Sequence, residues 1–324
     1  MTHDVILVGL GQIGMGYDLE LDARKYIYTH ARAFSLHPDF NLVAGVDQDS
    51  KKCTLFKNHY QLPVYEDIKE ALNDFQPDCI VVAVPTKMHN ETVKLILSHC
   101  RPKAILCEKP LSYSLEDALE IVESCSKRGV HLYVNYVRRG DPGVMKVDRW
   151  LKSDRIRVPV KGIAWYSKGV LHNGSHLMDL LTFWLGSVNS FKIISPGRSF
   201  GQDDHEPDFL VSFDKGDILF SSTWEEEFTY SEIELIAPNG RLRYENFGEL
   251  IYWQKVIQNP VHNNENILSK EKEIIKSDMD CYQLNIASQL SSALKGLDHS
   301  LCTAEKSLMI QKMLNDIIKK SKLK

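Results

Sequence analysis

Short runs of apolar residues, separated by segments of helix length, constrain the fold of this chain more than any other feature. Apolar runs without alternation indicate strands that are buried on both faces, as in a parallel sheet. Helical patterns between such strands indicate βαβ units. The sequence therefore predicts an α/β domain at residues 1–125, with the first strands at residues 5–8, 42–46, 63–65, 78–84, 105–107 and 131–135.

The second half of the chain changes to alternating apolar and polar residues, beginning at residues 158–167. Alternation with a period of two indicates strands with one buried face, and Pro238-Asn239-Gly240 is a strong turn signal between two of them. We expect an α+β domain with an open, mostly antiparallel sheet at residues 126–324. One face of such a sheet has to be covered, so a homodimer or homotetramer through this sheet is predicted.

Composition excludes several classes of partner. A formal net charge of −4 and a pI near 6.3 leave no basic surface of the kind that binds nucleic acid. No apolar run approaches the length that spans a membrane. The seven cysteines are odd in number and contain no C-x-x-C pair, which favours reduced thiols over disulfides or a zinc site. We expect a cytoplasmic protein without a nucleic-acid or membrane partner.

A glycine-rich turn directly follows the first predicted strand, with the sequence Gly9-Leu10-Gly11-Gln12-Ile13-Gly14. In this context the G-x-G-x-x-G pattern indicates a dinucleotide site, because its backbone N–H groups can approach a pyrophosphate. Alone it could equally be an ordinary glycine turn. The second predicted strand ends at Asp47, whose carboxylate can accept hydrogen bonds from ribose hydroxyls and would repel a 2′-phosphate. NAD is therefore predicted rather than NADP.

The interval between Gly14 and Asp47 is longer than the roughly 20 residues that usually separate the glycines from the acidic residue. The additional segment, residues 16–28, is polar and mixed in composition. Two interpretations stay open: a loop over the cofactor, or a surface insertion without a role.

A charged pair ends the apolar run at Ile105-Leu106-Cys107-Glu108-Lys109-Pro110. Strands of a parallel sheet end in the crevice where ligands bind, so Lys109 is expected to lie there with Glu108 beside it. Burial lowers the pKa of a lysine while a nearby carboxylate holds it in place, which suits proton transfer. The alternative is a surface ion pair at a strand end.

Four motifs in order resemble the Gfo/Idh/MocA family of NAD(P)-dependent oxidoreductases. They are the glycine turn, Pro85-Thr86-x-x-His89, Glu108-Lys109-Pro110 and a later histidine-containing helix start. The resemblance implies a Rossmann domain followed by a sheet domain, and a cis bond before Pro110. It also implies cofactor contacts, and the predicted cofactor-binding residues are Gly9, Gly11, Gln12, Ile13, Gly14, Asp47, Pro85, Thr86, His89, Glu108 and Lys109.

The same resemblance implies substrate contacts in the second half. Arg139 matches the arginine of the segment Tyr136 to Pro142, and Tyr282 resembles a tyrosine near the substrate. His176 fits the pattern's histidine, with Asp179 after it to orient it, whereas His172 stands where the family most often carries aspartate. His172 and His176 are four residues apart and are expected to share a helix face. The predicted substrate-binding residues are Lys109, Arg139, His172, His176 and Tyr282, and no metal is predicted because a third ligand has no suitable spacing.

The predicted function is oxidation of a secondary alcohol on a sugar, polyol or sugar derivative, with hydride transfer to the nicotinamide C4. His176 is expected to take the hydroxyl proton, Lys109 to stabilise the developing charge on the oxygen, and His172 to assist as a hydrogen-bonding or relay group. Two alternatives stay open: a dinucleotide-binding regulator without catalysis, and a dehydrogenase of a non-sugar substrate. The final helix, residues 303–319, is expected to pack on the first domain.

Overall fold

The computed structural model describes residues 2–201 and 204–323. Its strands are β1 (His3–Val8), β2 (Phe40–Val46), β3 (Val64–Tyr65), β4 (Cys79–Val82), β5 (Ala104–Cys107), β6 (His131–Val134), β7 (Val160–Tyr166), β8 (Val188–Ser195), β9 (Ser199–Phe200), β10 (Asp204–His205), β11 (Asp208–Phe213), β12 (Gly216–Ser222), β13 (Glu232–Ala237), β14 (Gly240–Glu245), β15 (Leu250–Gln258), β16 (Asn266–Leu268), β17 (Glu273–Ile275) and β18 (Cys302–Thr303).

The helices are α1 (His30–Leu36), α2 (Ser50–Tyr60), α3 (Ile68–Asp74), α4 (His89–His99), α5 (Leu115–Arg128), α6 (Pro142–Lys152), α7 (Ser175–Leu185), α8 (Tyr282–Leu294) and α9 (Ala304–Ser321). Two π turns lie at Gln12–Gly16 and Gly169–Gly174. The chain forms two compact units. The first comprises Met1–Gly140 with Asp280–Met309, and the second comprises Asp141–Met279 with Ile310–Lys324.

The first unit is built on a seven-stranded sheet in the order β18-β6-β5-β4-β1-β2-β3. All pairs are parallel except that of β18 with β6. Alternate residues of β1 enter two different cores: Ile6 and Val8 on one face, Val5 and Leu7 on the other. A strand buried on both faces has to be apolar throughout, which explains the uninterrupted runs. The predicted Rossmann domain is confirmed.

Side chains at the ends of the helices fix where each helix starts and stops in this unit. Thr29, Asp49, Asp67 and Ser114 accept a hydrogen bond from the first backbone N–H groups of α1, α2, α3 and α5. Gly129 ends α5 with a φ of +63°, a conformation that glycine adopts without steric cost. These caps hold the strand-to-helix turns at the carboxyl edge of the sheet.

The second unit is built on a large sheet in the order β16-β15-β14-β13-β7-β12-β11-β8, with β17 also paired to β15. Its pairs are antiparallel except β12 with β7. Phe209, Val211 and Phe213 alternate along β11 into one core, where α7 contributes Trp184. The predicted mostly antiparallel sheet is confirmed.

The unit boundaries differ from those predicted. Position 125 lies inside α5, and the first unit continues to Gly140 because β6 pairs with β5. Helix α8 also belongs to the first unit, since Ile286 and Leu290 lie in one of its cores. Only the start of α9 belongs there. From Ile310 onward the helix contributes to the core of the second unit, a placement that the prediction did not include.

Among the residues that the structure describes, no helix is both long and apolar enough to cross a lipid bilayer. All seven cysteines are free thiols.

Candidate functional site

The glycine turn after β1 packs directly against the turn after β4. Gly9 has a φ of +104°, and a Cβ built on it would lie only 2.6 Å from the backbone nitrogen of Val84. Gly11 has an ordinary φ of −76°, and a Cβ there would meet nothing within 4 Å. Gly9 is therefore required by the fold, whereas Gly11 leaves its backbone open to a ligand.

A groove of about 970 Å³ opens in front of this turn, at the carboxyl ends of the parallel strands. It lies where β1 separates β4 from β2, the position at which doubly wound sheets bind ligands. Six of the predicted cofactor residues line it: Gly9, Gly11, Gln12, Ile13, Asp47 and Pro85. Gly14 packs behind the turn, because a Cβ on it would collide with the carbonyl of Gly9.

Asp47 joins the glycine turn to the end of β2. Its Oδ2 accepts the N–H of Leu10 at 2.8 Å, and its Oδ1 accepts the N–H of Asp49 at 2.9 Å. The Nζ of Lys52 lies 3.5 Å from Oδ2. The sequence argument considered only the positions next to Asp47 and missed this cation, which α2 brings back to the carboxylate five residues later.

His89 does not contact the groove, which corrects its prediction as a cofactor ligand. Its side chain has no exposed surface, and its two ring nitrogens lie 3.1 Å from the carbonyl of Leu111 and 3.0 Å from that of Val84. Burial lowers its pKa, so the neutral ring donates one of these bonds at a time. His89 therefore links the turn after β4 to the turn after β5 through these contacts. Thr86 begins a short 3₁₀ turn and is half-buried outside the groove lining.

Glu108 and Lys109 follow β5, the strand beside β4, and the bond from Lys109 to Pro110 is cis. Burial lowers the pKa of Lys109 to about 8, the charge of Glu108 opposes this, and Arg138 adds to it. Burial raises the pKa of Glu108, but hydrogen bonds from His30 and Asn135 together with nearby positive charge outweigh it, and the net pKa is lowered. Neither residue lines the groove described above, and their contact with a cofactor or substrate stays a prediction.

Three side chains around Glu108 were not identified from the sequence: His30 in α1, Asn135 after β6 and Gln283 in α8. His30 Nε2 lies 2.8 Å from Glu108 Oε1, and Asn135 Nδ2 lies 2.6 Å from the same oxygen. Asn135 Nδ2 also lies 3.2 Å from Gln283 Oε1. The one sequence signal was the position of Asn135 at the end of an apolar strand.

Arg139 is almost completely buried, with 1% of its surface exposed, and its carbonyl accepts the hydroxyl of Ser300. Its neighbour Arg138 is the arginine whose charge acts on Lys109. The substrate contact of Arg139 stays a prediction. Tyr282 stacks on Tyr28 with ring centres 5.2 Å apart, and burial raises its pKa.

The additional segment 16–28 is anchored by a buried ion pair. Asp18 has no exposed surface and accepts the N–H groups of Tyr28 and Thr29 at 2.7 and 2.9 Å. Arg32 pairs with Asp18 at 3.5 Å and donates to the carbonyls of Leu21 and Tyr26. The segment therefore has a defined structure, and its Tyr17 lines the groove.

The two predicted histidines of the second unit lie in adjoining elements and differ in exposure. His172 lies exposed in the π turn Gly169–Gly174, whereas His176 lies in α7 and is 9% exposed. The turn is held by Asp204, whose carboxylate accepts the N–H groups of Leu171 and His172 at 3.0 and 2.9 Å. Asp204 therefore holds the backbone of the turn that precedes α7. Asp179 is fully buried in α7.

Comparisons with known proteins agree with this geometry. Residues 4–136 match the family model GFO_IDH_MocA, described as an oxidoreductase family with an NAD-binding Rossmann fold. The chain is 25% identical over 251 residues to 2,7-anhydro-N-acetylneuraminate hydratase of Escherichia coli, which covers 70% of this chain and 64% of that protein. It is 24% identical over 206 residues to inositol 2-dehydrogenase of Rubrobacter xylanophilus, which covers 63% of this chain and 56% of that protein.

A solved structure of an NAD binding oxidoreductase from Klebsiella pneumoniae has a TM-score of 0.79 with this chain at 16% identity. The superposition covers 100% of this chain and 97% of that chain. At this identity the likeness shows a shared fold. The chain spans less than two thirds of the length of both curated relatives.

Proposed function

We propose that this chain is an NAD-dependent dehydrogenase of the Gfo/Idh/MocA family, because its residues 4–136 match the model of that NAD-binding oxidoreductase family. The proposed substrate is a secondary alcohol on a sugar, polyol or sugar derivative. Relatives named inositol 2-dehydrogenase and D-apiose dehydrogenase support this class. The observation that carries the proposal is the lysine of lowered pKa at the end of β5, in the same unit as the cofactor groove.

The groove fits a dinucleotide. Gly11 leaves open space where a Cβ would otherwise stand, so that its backbone can approach a pyrophosphate. Asp47 retains acceptor capacity beyond its two backbone contacts and can bind ribose hydroxyls. When bound, NAD supplies a hydride acceptor at the nicotinamide C4. NADP would bring a 2′-phosphate close to the Asp47 carboxylate and is disfavoured, although Lys52 lies beside it.

Lys109 is proposed to donate a hydrogen bond to the hydroxyl oxygen and to stabilise the negative charge that develops on it. Its protonated form does this best. A pKa of about 8 leaves most of Lys109 protonated at neutral pH and lets it exchange a proton within that range. Glu108 lies at the adjacent position, and its charge offsets part of the cost of burying the ammonium.

A first test is NADH formation with a pooled panel of polyols, free sugars and nucleotide sugars. We expect turnover by the wild type and none by Lys109→Met, while the NADH Kd of the variant stays within about threefold. Lys127→Met, which removes an exposed lysine paired with Glu123, is the matched control and should keep wild-type turnover.

The opposite results are equally informative. Loss of NADH binding in Lys109→Met would contradict a role limited to the substrate. Failure of the wild type to turn over any panel member, with NADH still bound, would favour the alternative of a dinucleotide-binding regulator or of a non-sugar substrate.

Net hydration is a second candidate, because the relative named 2,7-anhydro-N-acetylneuraminate hydratase aligns over 70% of this chain. A hydratase changes the mass of its substrate by one water without net NADH formation. Mass spectrometry of the incubated panel separates the two candidates: loss of two hydrogens supports the dehydrogenase, and gain of a water supports the hydratase.

His176 is proposed as the general base and His172 as an assisting group, both within the second unit. The low exposure of His176 and the nearby Asp179 on the same helix support a defined ring orientation. We expect His176→Asn to lower kcat by about 10²–10⁴-fold, the range for loss of general base catalysis. His172→Asn should lower it far less, since His172 is exposed. An equal loss of kcat in His176→Asn and His172→Asn would contradict the proposal that His176 is the general base and that His172 only assists.

A homodimer or homotetramer through the large sheet of the second unit is also proposed, with a cytoplasmic location. The outer face of β13 carries Glu232, Glu234 and Ile236, and Ile236 is 46% exposed. Sedimentation equilibrium of the wild type and of Ile236→Asp tests this. We expect an oligomer that the variant weakens, and a wild-type monomer would contradict it.

A further inference from the structure

The carboxylate of Glu108 is held by groups from three separate elements of the first unit. Its Oε1 lies 2.8 Å from His30 Nε2 and 2.6 Å from Asn135 Nδ2, while its Oε2 accepts the backbone N–H of Lys109 at 3.3 Å. His30, Asn135 and Gln283 are each 1% exposed. Such deeply buried polar side chains are costly unless they bond to one another.

Chemistry fixes the direction of these hydrogen bonds. An ionised carboxylate only accepts, so His30 carries its proton on Nε2, and the amide of Asn135 presents its nitrogen to Glu108. The second hydrogen of that nitrogen points to Gln283 Oε1, 3.2 Å away. Gln283 thereby orients Asn135. The two donors, His30 and Asn135, bind the same oxygen of Glu108, Oε1.

We propose that His30, Asn135 and Gln283 are positioning residues that keep Glu108 ionised and fixed, and that Glu108 in turn keeps Lys109 protonated near neutral pH. This inference rests on the proposed function, in which the protonated form of Lys109 stabilises the oxygen of the substrate. None of the three residues needs to touch the substrate.

The charges around Lys109 determine the direction of the effect. Burial lowers the pKa of Lys109, Glu108 raises it, and Arg138 lowers it. Around Glu108 itself, His30, Asn135 and Lys109 favour the ionised form, and burial opposes it. Without the donor of His30, the carboxylate of Glu108 is no longer fixed at its position beside Lys109, and its effect of raising the pKa of Lys109 weakens.

The ionisation of Lys109 can be measured without any substrate. Trace labelling with acetic anhydride over pH 6–10, read by peptide mass spectrometry, reports the free amine at Lys109. The wild type should show a midpoint near pH 8. We expect His30→Leu, which removes the donor, to move this midpoint down by about one pH unit. His30→Gln keeps an N–H donor, and its labelling midpoint should lie close to that of the wild type.

Glu108→Gln provides a second variant if His30→Leu does not fold, because it keeps the shape and removes only the charge. It should lower the midpoint at least as much. Glu120→Gln removes a charge from an exposed ion pair with Lys94 and should leave the midpoint unchanged. An unchanged midpoint in both His30→Leu and Glu108→Gln would overturn the proposal, and a shift in Glu108→Gln alone would overturn the role of His30.

The alkaline limb of kcat/KM against pH is the companion measurement. It should follow the labelling midpoint from one variant to the next if protonated Lys109 is required. A shifted labelling midpoint without any turnover by the wild type would reject the proposed function and leave the network intact. If the labelling midpoint of Lys109 moves while the alkaline limb of kcat/KM stays at the same pH, catalysis does not require protonated Lys109.

Discussion

Gly9 and Gly11 lie in the same turn but serve different purposes. Substitution of each by alanine should distinguish a role in folding from a role in cofactor binding. Gly9 combines a φ of +104° with close packing on Val84, so Gly9→Ala should lower the free energy of unfolding by about 1–3 kcal/mol. Gly11 has an ordinary φ and open space around it, so Gly11→Ala should fold with wild-type stability.

The methyl group of Gly11→Ala projects into the space that a pyrophosphate would approach, and the NADH Kd should rise about tenfold or more. Urea unfolding and NADH fluorescence titration check both variants. Gly11→Ala with unchanged NADH affinity would contradict the position of the cofactor in the groove.

Burial of the Lys109 ammonium lowers the free energy of unfolding, and the size of this effect depends on pH. Its pKa falls from 10.5 in the unfolded chain to about 8 in the fold. Between these values the unfolded chain binds more protons, so the free energy of unfolding rises with pH across this window. Below pH 8 the buried cation carries its full cost. Lys109→Met removes it and should be more stable than the wild type at pH 7 by about 2 kcal/mol.

This difference should shrink as the pH rises from 8 to 10, and Lys127→Met should show no such change. Urea unfolding of each protein at pH 7, 8 and 10 measures this difference. A Lys109→Met protein that is less stable than the wild type at pH 7 would mean that the ammonium contributes to the fold.

At the scale of single elements, segment 16–28 depends on one buried ion pair. Asp18→Asn leaves Arg32, 4% exposed, opposite a neutral group, and breaking a buried pair costs about 3–5 kcal/mol. We expect a markedly lower Tm and faster proteolysis within residues 19–26. Asp22→Asn breaks the exposed pair with Arg24 in the same segment and should leave Tm essentially unchanged. Equal Tm values for the two variants would contradict the anchoring role of Asp18.

The βαβ elements could be predicted because their signals are local. Buried strands are apolar throughout, and the strands predicted at residues 5–8 and 105–107 lie within β1 and β5. Helix α6 was missed although Asp141 and Pro142 form a cap and a first-turn proline. Strand β8 was missed because most of its residues are exposed or half-buried, which leaves no clear alternation.

The parts of the site that could not be predicted depend on contacts between distant residues. Asp204 accepts the backbone N–H of His172 from 32 positions away, and no local pattern indicates that it holds the turn before α7. Likewise His30 and Asn135 meet at Glu108 from sequence separations of 78 and 27 residues, and Gln283 reaches Asn135 from a separation of 148 residues. The strand ends gave the position of Glu108 and Lys109, but the partners of Glu108 come from the tertiary fold.

For the whole molecule, the predicted boundary assumed that each domain is continuous in sequence. The units are instead interleaved. The first regains Asp280–Met309 after the large sheet is complete, and the second ends with the remainder of α9. Periodicity shows only that a helix such as α9 has a buried side, and it does not identify which core receives that side.

The tryptophans allow the role of α9 to be tested, because all five lie in the second unit, at positions 150, 165, 184, 224 and 253. Leu314 is 1% exposed in the core of that unit, so Leu314→Ala should cost about 2–5 kcal/mol and shift the unfolding transition seen by tryptophan fluorescence to lower urea. Met309→Ala, at a position 63% exposed on the same helix, should not shift it. The NADH Kd of Leu314→Ala should match the wild type at low urea, because every residue that lines the groove belongs to the first unit. An unshifted tryptophan transition in Leu314→Ala would mean that the second unit does not depend on this helix.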